Sequence, residues 1–338
     1  MNSGRLPWKQ IAFSILIGLA AIAAAYFPAV LPLYPALLGF ILPAWGSVCF
    51  AVGLGVSLLG LIACFGVESA LFTIAVYLPA AVWLGWGLNG KKPYRTVALG
   101  AALALAAGYY CEMCLPSLLA GKEPFAAMEE LFLAMANSVS QLGAELTDSA
   151  LGMGASVESI TDTMRAMSLL APELTCGTIA CLGMGFGLVD TVLARRLALP
   201  ARKDLRPMAP FPLWQLSRSF TFGAAGVVLA ALIVTLLNLK NASALLVVAE
   251  CVLFLPILLM GLCFLDFLTR VFPGNNKTLR RVLAYLCIGL LFPYSAMFLL
   301  ILGFVDRFSR IRRRFVPRDG GPRDGGPRDG DPQDGSRQ

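Results

Sequence analysis

The sequence predicts an all-α protein: a polytopic bundle of transmembrane helices with about eight or nine membrane segments and a disordered C-terminal tail. Of the 338 residues, 58% are apolar and only 14% are charged, against about 25% charged residues in an ordinary soluble domain. The apolar residues form long runs, and about 20 in succession span a bilayer as a helix. A helix also satisfies its backbone hydrogen bonds within one segment, which the bilayer interior requires.

Nine apolar segments follow one another along the chain. The region of residues 30–66 is the least regular, because Pro28, Pro32, Pro35 and Pro43 interrupt it or lie beside it. Proline breaks or kinks a helix, so this region is predicted to form either two short helices or one kinked helix. The segments cover residues 11–29, 33–48, 50–66, 69–88, 96–118, 167–194, 218–239, 243–269 and 282–305.

Lysine and arginine indicate the cytoplasmic side, because short cytoplasmic loops of membrane proteins are enriched in both. Lys91 and Lys92 follow the fourth long segment, and a larger basic cluster follows the sixth. Residues 119–167 instead carry seven acidic and two basic residues, so this loop is predicted to face outside. The expected location is the bacterial cytoplasmic (inner) membrane, crossed several times. The basic cluster comprises Arg195, Arg196, Arg202, Lys203 and Arg206.

These features divide the chain into four predicted parts. Residues 1–196 form a six-helix transmembrane bundle that includes the outer helical insertion 119–167. A basic cytoplasmic loop, 197–217, leads to the C-terminal transmembrane helices, 218–315. The tail 316–338 repeats Pro-Arg-Asp-Gly with little to bury, which predicts disorder.

The last third of the sequence presents a conflict of charges. Three further spans after Arg196 would place the basic residues 306–315 outside, although the loop around Arg270 and Arg281 is basic as well. Pro293 interrupts the final apolar segment, so a re-entrant hairpin would bring both basic regions to the cytoplasm. Eight spans in a different register would do the same. We expect both termini in the cytoplasm.

Residues 124–146, within the outer loop, have the pattern of an amphipathic helix. Phe125, Met128, Leu131 and Met135 recur at helical spacing, and Pro124 suits the first position of a helix. Such a helix either packs on the bundle, lies at the membrane interface, or covers a substrate cavity.

The composition disfavours several classes of function. The sequence contains no histidine, the commonest metal ligand and the usual proton shuttle near neutral pH. It also lacks a phosphate-binding loop, a G-x-S-x-G elbow and a dinucleotide fingerprint. We therefore expect no enzymatic activity, metal, cofactor or nucleic-acid partner. The nine cysteines, including the C-x-x-C pair Cys111 and Cys114, are interpreted as packing residues.

Acidic residues inside the apolar segments are candidates for a substrate or ion site, because a carboxylate at membrane depth costs about 2.5–3.5 kcal/mol or more. Asp266 is expected to pair with Arg270 four residues later, and Asp190 with Arg195 and Arg196. Glu112 and Glu250 remain as candidates. Glu250 is predicted to point into the bundle or a water-filled cavity and not into lipid.

An ordered set of motifs runs from Leu169, Leu170 and Pro172, through the arginine pair 195–196 and the Pro-Phe-Pro-Leu-Trp block at 210–214, to a closing Gly-Phe-Val-Asp before basic residues. This ordered set resembles the YybS-like family of predicted bacterial membrane proteins. The N-terminal part is similar in layout to the substrate-binding (S) components of energy-coupling-factor transporters. This resemblance implies that small residues of the first helix meet a transmembrane coupling subunit; here these are Ala20, Ala21, Ala24 and Ala25.

Two hypotheses for the function follow. In the first, the protein is a small-molecule binding or transport component whose first six helices form a pocket open to the outside. In the second, it is a non-transporting scaffold whose basic cytoplasmic loops recruit a protein partner or anionic lipid.

Overall fold

A computed structural model describes residues 8–27, 30–147, 154–205, 208, 210–214, 216, 218–237, 242–271, 277–291, 294–309 and 312. The described part is helical throughout and contains no β-strand, which confirms the predicted all-α class. The predicted tail and Arg206 lie outside the described residues.

Thirteen α-helices occur in the described residues. In chain order they are α1 (Trp8–Ala25), α2 (Tyr34–Gly39), α3 (Ile41–Trp45), α4 (Ser47–Phe65), α5 (Val67–Asn89), α6 (Tyr94–Leu119), α7 (Ala126–Thr147), α8 (Gly154–Leu169), α9 (Ala171–Ala198), α10 (Arg218–Leu236), α11 (Ala242–Val271), α12 (Lys277–Leu290) and α13 (Tyr294–Ser309).

Six of the described helices are long and apolar enough to cross a membrane: α1, α4, α5, α6, α9 and α11. Two shorter apolar stretches accompany them, Leu31–Trp45 and Phe220–Leu236. The predicted segment 282–305 is divided between α12 and α13. By length and composition, the described helices therefore supply six candidate spans, fewer than the eight or nine membrane segments expected from the sequence.

The proline-rich segment after α1 forms the short helices α2 and α3, and the long helix α4 follows them, so residues 30–66 contain three helices where two short helices or one kinked helix were predicted. A 3₁₀ turn at Leu31–Leu33 leads into α2, and both begin with proline in the first turn. Proline is favourable there because the first amide groups of a helix have no partner within the helix. Gly46 then ends α3 with a φ of 91°, in a region that favours glycine.

The chain divides into two compact units. The first unit contains Met1–Ala209 and Ser217–Pro256, and the second contains Pro210–Leu216 and Ile257–Gln338. Helix α11 passes from one to the other at Pro256.

Small residues bring the helices of the first unit close together. A methyl group on Gly187 would lie 2.5 Å from the backbone nitrogen of Ala102, and one on Gly183 would lie 2.9 Å from the carbonyl oxygen of Ala102. The same relation holds between Gly18 of α1 and Gly53 of α4, at 2.7 Å. Gly183 and Gly187 are therefore helix-packing residues, since their backbones approach α6 at contact distance.

Helix α7 confirms the predicted helix in the acidic insertion. It packs against α8, and the two form a hairpin between α6 and α9. Ala136 is buried in this contact, whereas Leu131 and Met135 are exposed. Lys122 pairs with Glu130 at 2.5 Å, which ties the start of the insertion to α7.

In the second unit, α12 and α13 form a hairpin whose two ends both return to the same part of α11. Near the start of α12, Arg281 pairs with Asp266 of α11. After the end of α13, Arg312 donates to the carbonyl of Met260 in α11. That this hairpin is re-entrant in the membrane stays a prediction.

Candidate functional site

Asp190 of α9 is the least satisfied charged side chain in the described part of the first unit. Its side chain is fully buried, and neither carboxylate oxygen has a hydrogen-bond partner among the described residues. The neighbouring Thr191 does not donate a hydrogen bond to Asp190, because its hydroxyl donates to the carbonyl of Gly187 at 2.7 Å.

The predicted pairing of Asp190 with Arg195 and Arg196 is wrong. Successive residues of an α-helix are about 100° apart around its axis, so residues five and six positions later project from other faces. Arg195 is half-buried and Arg196 is exposed, while Asp190 lies in the helix contact. Nearness in the sequence therefore suggested an ion pair that is not formed, and Asp190 is a buried acid without a described partner.

Four buried residues that carry hydroxyl groups, one on each of four other helices, lie in succession beside one another near Asp190. The hydroxyl groups of Ser57 in α4 and Tyr34 in α2 are 2.7 Å apart. The rings of Tyr34 and Tyr77 are 6.1 Å apart, and those of Tyr77 and Tyr109 meet edge to face at 6.0 Å. Asp190 is close enough to both Tyr77 and Tyr109 to interact with them electrostatically.

This group is chemically suited to receive a positive charge. A buried carboxylate without a partner is costly when ionised, and either a bound proton or a bound cation removes that cost. The hydroxyl of Tyr109 is also buried; it lies close enough to Tyr77 to interact with it, but it makes no hydrogen bond of ordinary geometry among the described residues. We refer to Asp190, Tyr77 and Tyr109 as the Asp190 site.

Glu112, the first sequence candidate, lies near this site but at the surface. It follows Tyr109 by three residues on α6 and influences both tyrosines electrostatically. Its side chain is exposed. Glu112 therefore stays a candidate for a position at the edge of the Asp190 site.

Glu250, the second candidate, lies on an exposed side of α11, away from the contact with α9; its predicted orientation toward the bundle interior or a water-filled cavity stays a prediction. The face of α11 that meets α9 carries Ser243 and Cys251: Ser243 donates to Glu173 at 2.5 Å, and the sulfur atoms of Cys251 and Cys181 are 3.6 Å apart. Glu250 is turned by about 100° from Cys251 and is exposed. Its role as a ligand or ion residue stays a prediction.

The four alanines of α1 fall into different environments. Ala21 is fully buried and Ala24 is 5% exposed, so the protein's own helices cover both residues. Ala25 is half-buried, and Ala20 is exposed. A partner helix can reach Ala20 directly but cannot reach Ala21 or Ala24 without displacing another helix.

Part of the basic cluster is organised by one aspartate. Arg202 donates to both oxygens of Asp204, at 2.7 and 3.1 Å, and Lys91 pairs with Asp204 at 2.9 Å. Hydrogen bonds from Arg202 and Lys91 hold the pKa of Asp204 well below its usual range. Arg202 also donates to the carbonyl of Pro43 and the amide oxygen of Asn89, both at 3.2 Å. The ends of α3 and α5 therefore meet beside the loop after α9.

The buried acids of the second unit are fully paired. Asp266 receives hydrogen bonds from Arg270, as predicted, and from Arg281, fifteen positions away, which the sequence did not indicate. Asp306 pairs with the buried Arg312 through two contacts of 2.9 and 2.8 Å. These acids stabilise the fold and offer no free charge to a ligand.

No group of three or more cysteine, aspartate or glutamate side chains in the described residues is placed to hold a metal ion. The thiols of Cys181 and Cys251 form a close pair without a third ligand of this kind.

The fold and the Asp190 site together define a multi-pass helical membrane protein with a polar group inside its first bundle. Residues 11–307 match the family DUF2232, described as a predicted membrane protein, and the chain belongs to this family. No curated protein and no solved structure matches it.

Proposed function

We propose that the protein is a small-molecule binding or transport component of the bacterial cytoplasmic membrane, and that Asp190 receives a proton or the cationic group of its ligand. The observation that carries this proposal is the complete burial of a carboxylate with no hydrogen-bond partner among the described residues. Intramembrane acids are rarely kept without a partner or a task, because the ionised form is so poorly solvated there.

The surroundings of Asp190 favour binding over a purely structural role. A structural buried acid is expected to resemble Asp266 or Asp306, whose oxygens are held by arginine. The hydroxyl groups of the four buried residues that lie in succession near Asp190 supply donors and acceptors that a small polar ligand or ordered water can use. The proposed ligand is therefore small and carries a positive charge or a transferable proton.

The proposed membrane arrangement has eight crossings and one re-entrant hairpin. In it, each of the six long helices crosses the membrane once, and so does each of the two shorter apolar stretches, Leu31–Trp45 and Phe220–Leu236. The pair α12–α13 supplies the hairpin. In this arrangement the α7–α8 hairpin faces outside, where it would cover the ligand path. We also propose that the protein is similar to the S components of energy-coupling-factor transporters and to the YybS-like family. Of the four alanines of α1, Ala20 would then be the one that contacts a coupling subunit.

The test is to identify what the protein retains on purification. We would purify the full chain, Asp190→Asn and the control Glu68→Gln in mild detergent and analyse the bound small molecules by mass spectrometry. Glu68 is an exposed acid in the first turn of α5, so its replacement alters net charge equally without touching the site. We expect a small cationic molecule with the parent protein and with Glu68→Gln, and its loss from folded Asp190→Asn.

Two results would contradict the proposal. Equal retention by all three proteins would remove Asp190 from the binding site. Absence of any bound small molecule from the parent protein, together with a stable co-purified protein partner, would favour the non-transporting scaffold. A co-purified pair of ATPase subunits would instead support transport.

A further inference from the structure

A second polar site lies at the opposite end of α6 from the α7–α8 hairpin, where α5 ends and α6 begins. A small cavity there, of about 10 Å³, is lined by Leu88, Lys91, Lys92, Tyr94, Arg195 and Leu205. We call these six residues the basic corner. Three of its side chains are cationic, whereas Leu88 and Leu205, each 6% exposed, form an apolar floor.

The backbone of the basic corner is held in an unusual conformation. Lys91 has a φ of 52°, in the left-handed region that residues other than glycine seldom adopt. Its amide donates to the carbonyl of Leu88, and the amide of Lys92 donates to that of Gly87. The tight turn places two successive lysines beside the C-terminal part of α9. Such strained positions persist where the surrounding structure fixes them, and they cluster at functional sites.

The ammonium group of Lys92 is positioned by two tryptophans. It lies 3.4 Å from the ring centre of Trp86 and 5.3 Å from that of Trp83. Trp83 is itself oriented, because its indole nitrogen donates to the carbonyl of Val97 at 3.0 Å. Tryptophan is enriched at the boundary between lipid and water, so this cation is held at headgroup depth.

We propose that the basic corner binds the phosphate group of an anionic phospholipid. The cationic side chains of Lys92 and Arg195 line the cavity from two different helical regions and match the charge of a phosphate diester. A cavity of about 10 Å³ has room for one water-sized group. One phosphate oxygen therefore enters it, and the rest of the headgroup stays at the mouth.

A lipid fits this site better than a free phosphate ion because apolar surface continues from the mouth. Trp86 is 50% exposed, and Leu99 and Leu103 of α6 are 55% and 64% exposed. Leu99 and Leu103 flank Gly100, on which the indole of Trp83 packs. The acyl chains of a bound lipid would lie along these side chains while its phosphate reaches the cations.

The experiment measures lipid affinity of the full chain in a zwitterionic detergent by native mass spectrometry. Phosphatidylglycerol and phosphatidylcholine would be titrated separately into the parent protein, Lys92→Gln and Arg195→Gln. The matched controls are Lys122→Gln and Arg165→Gln, which remove the same charge from the α7–α8 region. We expect about a fivefold loss of phosphatidylglycerol affinity for each basic-corner variant, because a basic residue at a membrane surface contributes about 1 kcal/mol. Lys92→Arg should retain the affinity.

Three outcomes would overturn the proposal. The control variants are expected to keep the parent affinity, so an equal loss in them would mean that net charge alone explains the effect. Equal affinity of the parent protein for phosphatidylcholine would remove the requirement for an anionic headgroup. Displacement of phosphatidylglycerol by millimolar inorganic phosphate, with the same dependence on Lys92, would assign the corner to a free anion. Asp190→Asn should leave lipid affinity unchanged, so this result is independent of the proposed transport function.

Discussion

At the scale of single residues, the buried acids have two kinds of environment, one with an arginine partner and one without. Asp306 accepts a hydrogen bond from Arg312 and makes a second ion-pair contact with it, and other Arg312 donors reach the carbonyls of Pro212, Trp214 and Met260. Asp190 is equally buried, yet it has no such partner. Because removing one member of a buried ion pair leaves the other charge unpaired, the same chemical change should affect the two sites in opposite ways.

Asparagine substitutions make this contrast measurable. Asp306→Asn should lower stability by about 3–5 kcal/mol, because the Arg312 guanidinium would keep its burial and lose its counter-charge. Asp190→Asn should melt at or above the temperature of the parent protein, since it removes a buried charge that no donor compensates. Thermal unfolding of both variants in the same detergent is the measurement. A comparable loss of stability in Asp190→Asn would show that the parent carboxylate has a stabilising partner.

At the scale of elements, glycine positions determine how closely the helices approach. Gly185 and Gly187 both lie on α9, two residues apart, but only Gly187 faces α6. Among the described residues beyond its own stretch of α9, no atom lies within 4 Å of the position of a methyl group on Gly185, whereas a methyl group on Gly187 would meet the backbone of Ala102. Backbone atoms cannot rotate away as a flexible side chain can, so the helices would have to separate.

The substitutions Gly187→Ala and Gly185→Ala form a matched pair of variants. Gly187→Ala should destabilise the protein by about 1–3 kcal/mol, the usual cost of overpacking. Gly185→Ala should be neutral or stabilising by up to about 1 kcal/mol, because alanine favours the helix more than glycine. Thermal unfolding and the size-exclusion profile of each variant would check the prediction. Equal behaviour of the two variants would mean that α6 and α9 are not packed as described.

The contact between α9 and α11 can be tested by chemical cross-linking. The sulfur atoms of Cys181 and Cys251 are 3.6 Å apart, so a small rotation of either side chain would allow a bond between them. Mild oxidation should therefore produce a disulfide joining these two peptides, and Cys181→Ser should abolish it. Peptide mapping under non-reducing conditions is the measurement. Cross-linking of Cys251 to another cysteine in the parent protein would contradict the described pairing of α9 with α11.

The sequence predicted helices well and helix faces poorly, for a physical reason. The amphipathic pattern around Phe125 predicted α7, because its apolar and polar positions alternate with the helical period. Helix α11 is apolar on nearly every side, so its sequence contains no period that could orient Glu250. Long-range pairs were also hidden: Asp266 and Arg281 are separated by fifteen positions, and only the return of α12 to α11 brings them together.

At the scale of the whole molecule, the distribution of charge predicts a membrane orientation. Helices α6 and α9 pack side by side, and their contacts pair Gly183 and Gly187 with Ala102 and Ala106. The acidic insertion connects the end of α6 to the start of α9, whereas Lys91 and Asp204 meet at the other ends of these helices. One end of this helix pair is therefore acidic and the other basic, the asymmetry expected of opposite membrane faces.

This asymmetry predicts which positions an impermeant thiol reagent can reach in intact cells. In a background with all nine native cysteines replaced by serine or alanine, a cysteine at Ser138 of α7 should be labelled from outside. One introduced at Lys203, beside the Arg202–Asp204 pair, should react only after the membrane is permeabilised. Both residues are exposed in the structure, so a difference between them reports the membrane and not burial. The positive-inside bias supports this orientation because Lys91, Arg196, Arg202 and Lys203 lie at the end of the bundle that carries position 203. Labelling of position 203 in intact cells, with protection of position 138, would invert the bundle and place the basic corner outside.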